Sequence, residues 1–373
     1  MDTHLRFIIG CMTGTSIDGL DAAVVRIEGR GLAMRATLVN HQSVDLAACQ
    51  EPLRALALQS PMPAGQIAQL AHDFALLHVR ACEAVWEAAG RLCDLPRRPS
   101  LISVHGQTVW HRPPVSWQLF QPAPLARAMQ CPVVCDLRQA DLAAGGQGAP
   151  LTPLADYVLF ARAEAPLTVV NFGGFCNLTA LPRRTSGDQS NADGVRQIRG
   201  ADLCPCNHLL DEVSRRGFGR PFDEDGREAL AGTPVAELGA ELRALLAASG
   251  ASGRSLGTGD ECLAWVARVL RGHRACDVAA TVAESIGAHV AGAASPDSCV
   301  MCFGGGVRHR RLMEAVGRHL GRGRLLPATV APDAREAACW AVLGGLAQDG
   351  VELGVAAVTG RPSASGIAGL WVS

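Results

Sequence analysis

Short apolar runs alternate with polar, glycine-containing turns along this chain, and near its start the pattern predicts a hairpin. Residues 7–12 (FIIGCM) read as a buried strand, 13–19 as a polar turn and 20–27 as a returning strand, with 33–40 as a third. Residues 167–172, the Gly173-Gly174 turn and 175–181 repeat the arrangement in the second half, followed by a predicted strand near 195–199. Each half then has a further apolar run entering a glycine turn. These are LISV at 101–104 before His105-Gly106-Gln107-Thr108, and CVMCF at 299–303 before Gly304-Gly305-Gly306. Apolar i, i+3, i+4 spacing with flanking Gly or Pro predicts helices over 65–90, 205–216, 234–249, 261–271, 275–294 and 335–345. Strands alternating with helices make the fold class α/β. The repeat reads as a rough duplication, although short apolar runs also resemble one another by chance.

With 373 residues the chain exceeds what one hydrophobic core organises and predicts two domains. Hydrophobic residues at 48%, charged residues at 18% and a mean hydropathy of +0.15 place it among ordered globular proteins. A formal charge of -1 and a pI near 6.8 leave no basic face to reward a nucleic acid. All 34 basic residues are Arg. The lack of Lys excludes a Walker A loop, a protein-kinase strand lysine and a pyridoxal phosphate Schiff base.

The opening MDTHLRFIIGCMTG lacks the apolar core and cleavage site of a signal peptide, and Gly, Arg, Asp or Pro interrupts every apolar run before it could span a bilayer. No membrane partner and a cytoplasmic location are therefore expected. The 14 Cys are scattered through apolar segments and read as reduced core thiols. Cys299 and Cys302 have CxxC spacing, but on a strand they face opposite ways, so no zinc site is expected.

Candidate chemistry concentrates at the turns. In GCMTGTSIDGLDAA, Gly14 and Gly19 let backbone approach a ligand, Thr15 and Ser16 supply hydroxyls, and Asp18 and Asp21 supply oxygens for a hydrated magnesium. The same residue types also make an ordinary hairpin turn. Asp202 stands just ahead of Pro205, a residue favoured in a helix's first turn. Unpaired N–H groups there would bind phosphate, with Asp202 as general base, or Asp202 is simply a helix cap. The run DLRQADLAAGGQGAPLTP sets Asp136, Arg138 and Asp141 beside Gly145, Gly146, Gln147 and Gly148, a loop of flexible composition whose charges would suit a sugar's hydroxyl and carboxylate groups. His105 and Gln107 could serve similarly, or be structural.

Taken in order, MTGTSIDGLDAA, HGQTVWH, DLRQADLAAGGQGAPLTP, NFGGFCNLT, the Asp202 segment, FGGGVRHRRLM and APDAREAACWAVLG resemble the 1,6-anhydro-N-acetylmuramic acid kinases over nearly the whole chain. The resemblance implies a two-domain, actin-like ATPase fold (a duplicated ribonuclease H-like fold) with an interdomain cleft. It assigns 1–128 plus 336–373 to one domain and 129–335 to the other. It implies ATP and Mg²⁺ as cofactors, with no protein metal ligands assigned. The implied reaction phosphorylates O6 of 1,6-anhydro-N-acetylmuramic acid with hydrolytic opening of the anhydro bond, giving N-acetylmuramic acid 6-phosphate in cell-wall recycling. On the matching positions, Gly14, Thr15, Ser16, Ile17, Asp18, Gly19, Leu20, Asp21, Asn207, Gly304, Gly305 and Gly306 would contact ATP. Asp202 would be the catalytic base, and His105, Gln107, Asp136, Arg138, Gly146, Gln147 and Glu336 would line the sugar. Glu336 also reads as a solvated first-turn residue. Relatives suggest a homodimer.

The chain departs from the family pattern in three places. Where relatives commonly read DTGPGN it has Asp202-Leu203-Cys204-Pro205-Cys206-Asn207; Asp260 follows Thr258-Gly259 where Arg is expected; and His309 replaces an Asn. A Cβ at each lost glycine is expected to hold the phosphate loop away from an anion. A kinase of another sugar and a catalytically weak sugar- or nucleotide-binding protein are the alternatives these changes raise.

Overall fold

A computed structural model of the chain describes residues 4–184, 188–250 and 260–373; the Thr258-Gly259 pair lies outside them. The backbone forms two compact units, one of Met1–Ala161, Arg184–Ile198 and Ala334–Ser373, the other of Arg162–Arg183 and Arg199–Asp333.

Unit 1 contains β1 (Leu5–Thr13), β2 (Leu20–Glu28), β3 (Arg35–Val44), β4 (Leu101–Val104), β5 (Gln107–Arg112), β6 (Val115–Leu119) and β7 (Val133–Cys135). Its main sheet runs β7-β4-β1-β2-β3, with β1, β2 and β3 antiparallel and β4 and β7 parallel to β1. The strand Leu370–Val372 adds antiparallel to β7, and β5 and β6 make a separate ribbon. Unit 2 contains β8 (Leu167–Phe172), β9 (Phe175–Leu181), β10 (Arg199–Pro205), β11 (Cys299–Phe303) and β12 (Leu325–Leu326). Its sheet runs β12-β11-β8-β9-β10 with the same alternation of senses. Counted within each unit, both sheets have the order 5-4-1-2-3. The duplication read from the apolar pattern is therefore a repeated ribonuclease H-like topology.

The unit boundary differs from the expected break at 128/129. Residues beyond 129 stay with unit 1 because β7 continues the parallel part of its sheet and the helix Thr152–Phe160 packs on the helix Arg335–Gln348. The predicted strand near 195–199 is also displaced, since the structure has a helix over Asp188–Val195 and then β10. β10 is exposed from Arg199 to Asp202 and buried from Leu203, so its register comes from pairing with β9 and not from an alternating pattern of its own. The other predicted helices occur as Ala64–Gly90, Ala236–Gly250, Asp260–Val269, Ala275–Ala293 and Arg335–Gln348.

Close approach fixes the central packing of unit 1. A Cβ on Gly10 of β1 would stand 2.0 Å from the Ala337 carbonyl, so only glycine lets the Arg335–Gln348 helix lie on the strand. None of the 14 cysteines forms a disulfide and most are buried, as expected, and burial pushes Cys302 of the CxxC pair up to about 12. Among the described residues no helix is long and apolar enough to cross a membrane.

Candidate active site

In unit 1 the polar residues gather at the carboxyl ends of β1, β4 and β7, the edge where open α/β sheets take ligands. After β1 the chain makes a tight turn in which the Ile17 amide donates to the Gly14 carbonyl at 3.2 Å and the Ser16 hydroxyl to Asp18 Oδ1 at 2.8 Å. Ile17 adopts φ 51° and buries its side chain, and Gln50 donates to its carbonyl. Thr15, Ser16 and Asp18 consequently face outward, whereas Ile17 and Leu20 sit in the core and offer a ligand backbone only. Asp21, on β2, accepts hydrogen bonds from His41 Nε2 and the Ser43 hydroxyl.

His105 follows β4, with its amide bonded to the Cys11 carbonyl. Its ring bonds the Gly106 carbonyl through Nδ1 at 2.7 Å, so Nδ1 carries the proton and Nε2 accepts from Arg138 Nη2 at 2.9 Å. Burial, then the Arg138 charge, hold His105 well below the usual histidine range. Arg138 also donates to the Gly148 carbonyl and lies 5.8 Å from the Trp340 ring centroid. Glu336 is half-buried in the first turn of its helix. Burial raises its carboxyl, Arg335 opposes that rise, Asp21 and Asp156 add to it, and Arg138 opposes it. Arg138 thus bonds His105, and the charges of Asp21 and Arg138 both bear on the Glu336 carboxyl.

Thr13 Oγ1, Gln107 Oε1 and Asp136 Oδ1 are buried oxygens with no hydrogen-bond partner among the described residues. Asp136 is also held at φ 57°, an uncommon backbone state for a non-glycine residue, and burial pushes its carboxyl up. Buried polar atoms are normally satisfied, so three such oxygens beside one sheet edge mark a place built for a polar ligand.

The glycine run 145–148 is pinned, not flexible as its composition suggested. The Asp141 carboxylate, buried, accepts from the Gly148 amide and the Thr359 hydroxyl, and a Cβ on Gly146 would stand 2.2 Å from it. Gly146 is therefore a packing glycine, while Gln147 remains exposed.

In unit 2 the glycine turn follows β11. Gly304 has φ 84°, and a Cβ there would meet Asn171 Oδ1 and the Phe172 carbonyl at 2.7 Å; at exposed Gly305 a Cβ would meet nothing nearer than Asn207 Nδ2 at 3.7 Å. Asn207 donates to the Phe172 carbonyl at 3.1 Å and lines the same turn. Asn171, Asn177 and Asp202 are register partners across β8, β9 and β10, which sets three polar side chains in a row. Both asparagines lie in the NFGGFCNLT motif, although the sequence reading assigned neither a role.

Two expectations about Asp202 are corrected. Pro205 is the last residue of β10 and the helix is Asn207–Phe218, so Asp202 is a strand residue at a register shift and neither caps nor immediately precedes the helix. The N–H groups of Cys206, Asn207 and His208 are taken by the Gly173 and Gly174 carbonyls, so this helix start offers no free amides to a phosphate. Asp202 keeps an exposed face, and burial of its carboxyl by the surrounding chain raises its pKa.

Cys204 and Cys206 are fully buried in the unit 2 core, and Cys206 has φ −123°, outside the positive range that favours glycine. His309 performs the capping role of an Asn, with Nδ1 accepting from the Leu312 amide at 3.2 Å at the start of the helix Arg310–Leu320. The sequence reading missed Thr13, Trp340 and the Asp156–Arg335 pair. Thr13, Arg335 and Trp340 lie inside the family motifs without an assigned role, and Asp156 lies in none.

Two units with the same sheet order, each bearing polar residues and glycine turns at the carboxyl ends of its parallel strands, define a duplicated ribonuclease H-like α/β protein. The family model described as anhydro-N-acetylmuramic acid kinase matches residues 6–371. The chain is 35% identical to the anhydro-N-acetylmuramic acid kinase of Chromohalobacter salexigens, over 97% of this chain and 98% of that one. It is 32% identical to that of Salinibacter ruber, over 98% and 96%, and 35% identical to that of Bordetella pertussis, over 99% and 97%. The chain belongs to the anhydro-N-acetylmuramic acid kinase family, and so to an ATP-using class of sugar kinases.

Proposed function

We propose that the chain transfers the γ-phosphoryl group of ATP to O6 of 1,6-anhydro-N-acetylmuramic acid while water opens the anhydro bond. The product is N-acetylmuramic acid 6-phosphate, returned from cell-wall turnover to cytoplasmic metabolism. The observation that carries this reading is the polar edge of unit 1, where Thr13, Gln107 and Asp136 hold buried oxygens without partners beside the bonded His105–Arg138 pair, whose charge bears on Glu336.

Asp202 takes the proton of the attacking water, and burial, which raises its carboxyl above the ordinary aspartate value, makes it a stronger base than a free carboxylate. The water oxygen bonds to C1, the C1–O6 bond breaks, and O6 displaces ADP from the γ-phosphorus. Arg138 donates to sugar oxygens, while His105, held neutral, fixes the guanidinium's orientation. Thr15, Ser16 and the backbone from Gly14 to Asp21 hold phosphate oxygens, and the open face of Gly305 admits the nucleotide beside Asn207.

Among the described residues no group of three or more His, Cys, Asp or Glu side chains could hold a metal ion. The exposed Asp18 carboxylate in the turn after β1 would meet, through water, a magnesium carried on the phosphates. Bound there, magnesium neutralises the charge of the transferred group.

The test is turnover in ¹⁸O-labelled water with the anhydro sugar, ATP and magnesium, followed by mass spectrometry of the sugar. One phosphate and one solvent oxygen per product are expected. A phosphorylated product that retains the anhydro ring, or no product from folded protein, overturns the reading.

A further inference from the structure

The reaction proposed above gives no task to Trp110 of the HGQTVWH motif. Trp110 lies on β5 opposite Trp117 of β6, and the two are 39% and 44% exposed. Residues opposite one another in an antiparallel ribbon share a face, as do alternate residues along a strand. Leu119, Trp117 and Val115 of β6 therefore put their partners Gln107, Trp110 and Arg112 on one face. In a regular strand Gln107 and Trp110, three residues apart, would face opposite ways. An extra residue, Val109, shifts the register between Thr108 and Trp110 and brings both to the same face. The Val109 carbonyl accepts from Gln59 Nε2 at 2.8 Å, which pins this bulge.

The other face of the ribbon is anchored. Ser116 and Gln118 are buried there, and Ser116 Oγ bonds His111 Nδ1 and accepts from Gln118 Nε2, both at 2.9 Å. Gln139, next to Arg138, donates to the Ser116 carbonyl at 2.9 Å. Burial, then the Arg138 charge, lower the His111 imidazole below its usual range. The tryptophan face is thus continuous with the polar edge of unit 1, where Gln107 holds its unpartnered oxygen.

At about 250 Å² for a whole indole side chain, the two exposures leave roughly 200 Å² of aromatic surface open. A stable protein interface covers about 800 Å² per partner, so this face falls short of what a second copy needs and matches a small ligand. The apolar C–H face of a pyranose ring fits it, with the exposed Arg112 guanidinium as a donor to hydroxyls at the rim. Leu119, opposite Gln107, and Trp117 are two strand residues apart, about 7 Å. A ring bonded at Gln107 therefore leaves the tryptophans to the next ring along.

We propose that Trp110 and Trp117 form a stacking subsite for a second pyranose ring, linked to the sugar held at Gln107. The place of the first ring rests on the function proposed above; the aromatic face beside it does not.

The experiment is isothermal calorimetry on the full chain with two probes, 1,6-anhydro-N-acetylmuramic acid and the same sugar carrying an N-acetylglucosaminyl ring on O4. The disaccharide is expected to bind about tenfold more tightly, the order of one aromatic stacking contact, and to change tryptophan fluorescence in a way the monosaccharide does not. Trp110→Ala and Trp117→Ala, shown to be folded by circular dichroism, each remove that preference and leave the monosaccharide affinity unchanged. Trp117→Tyr, which keeps an aromatic face, retains most of it. A disaccharide that binds no more tightly than the monosaccharide, or a preference that persists in either folded alanine variant, overturns the proposal. So does sedimentation in which an alanine variant loses a dimer formed by the unmodified chain, because the face then holds a second copy. If only the disaccharide binds, and binds through the tryptophans, the function proposed above fails while the subsite stands. If neither sugar binds, both fail.

Discussion

Arg138 donates from Nη2 to Nε2 of His105 across 2.9 Å, which makes the imidazole an acceptor and fixes its proton on Nδ1. A protonated His105 could not accept that bond and would face a like charge. His105 is therefore expected to remain neutral across pH 5–8, with ¹⁵N shifts of the Nδ1–H tautomer that do not move over that range. Arg138→Lys loses the fork that reaches His105 and Gly148 together. It is expected to raise the KM for the sugar by about tenfold, the order of one charged hydrogen bond. An unchanged KM would remove Arg138 from the sugar site.

Asp202→Asn keeps the size of the side chain and its place on β10 but cannot take a proton. Turnover is expected to fall by about 10²–10⁴-fold, the usual contribution of a general base. Calorimetric sugar binding and the thermal midpoint should change little, because the residue keeps an exposed face. Undiminished turnover would remove the base assignment.

The repeated hairpins and glycine turns were legible because buried strands and tight turns impose local patterns. The Asp202 segment was misread because Pro205 has two uses, opening a helix or ending a strand, and the choice is made by pairing with β9, more than 20 residues away. The side its two thiols face was not legible either, since a Cβ at 204 or 206 is placed by the tertiary fold and not by local sequence. Both face the core. Cys204→Gly and Cys206→Gly, which move the segment toward its relatives, are therefore expected to destabilise the fold by about 1–3 kcal/mol without lowering the KM for ATP. Tighter ATP binding in either variant would show that the thiols hold the loop away from the nucleotide.

His78 is fully buried, bonds the Phe74 carbonyl through Nδ1, and is lowered by burial to about 4, an effect the Phe74 bond opposes. The fold therefore favours the neutral ring. Its stabilisation is complete above the unfolded-state pKa near 6.5 and is lost as pH falls through 6.5 toward 4. The full loss amounts to about 3 kcal/mol. His78→Leu should flatten the dependence of urea-unfolding free energy on pH between 7 and 4 by roughly that amount. An equally steep fall in the variant would place the acid sensitivity elsewhere.

Stability and nucleotide binding should separate cleanly at the glycine turns. Gly146→Ala and Gly306→Ala each place a Cβ inside occupied space, 2.2 Å from Asp141 Oδ2 and 2.6 Å from Phe172 Cβ respectively. Both should lower the thermal midpoint, with a cost of about 1–3 kcal/mol for overpacking. Gly305→Ala differs because the nearest atom to its new Cβ, Asn207 Nδ2, is 3.7 Å away. Its midpoint should be unchanged. If the open face of Gly305 is where ATP approaches, the same methyl group occupies the nucleotide's space, and the KM for ATP should rise several-fold while the KM for the sugar stays fixed. An unaltered KM for ATP would move the nucleotide off this turn, because the fold itself gives residue 305 no other need for glycine.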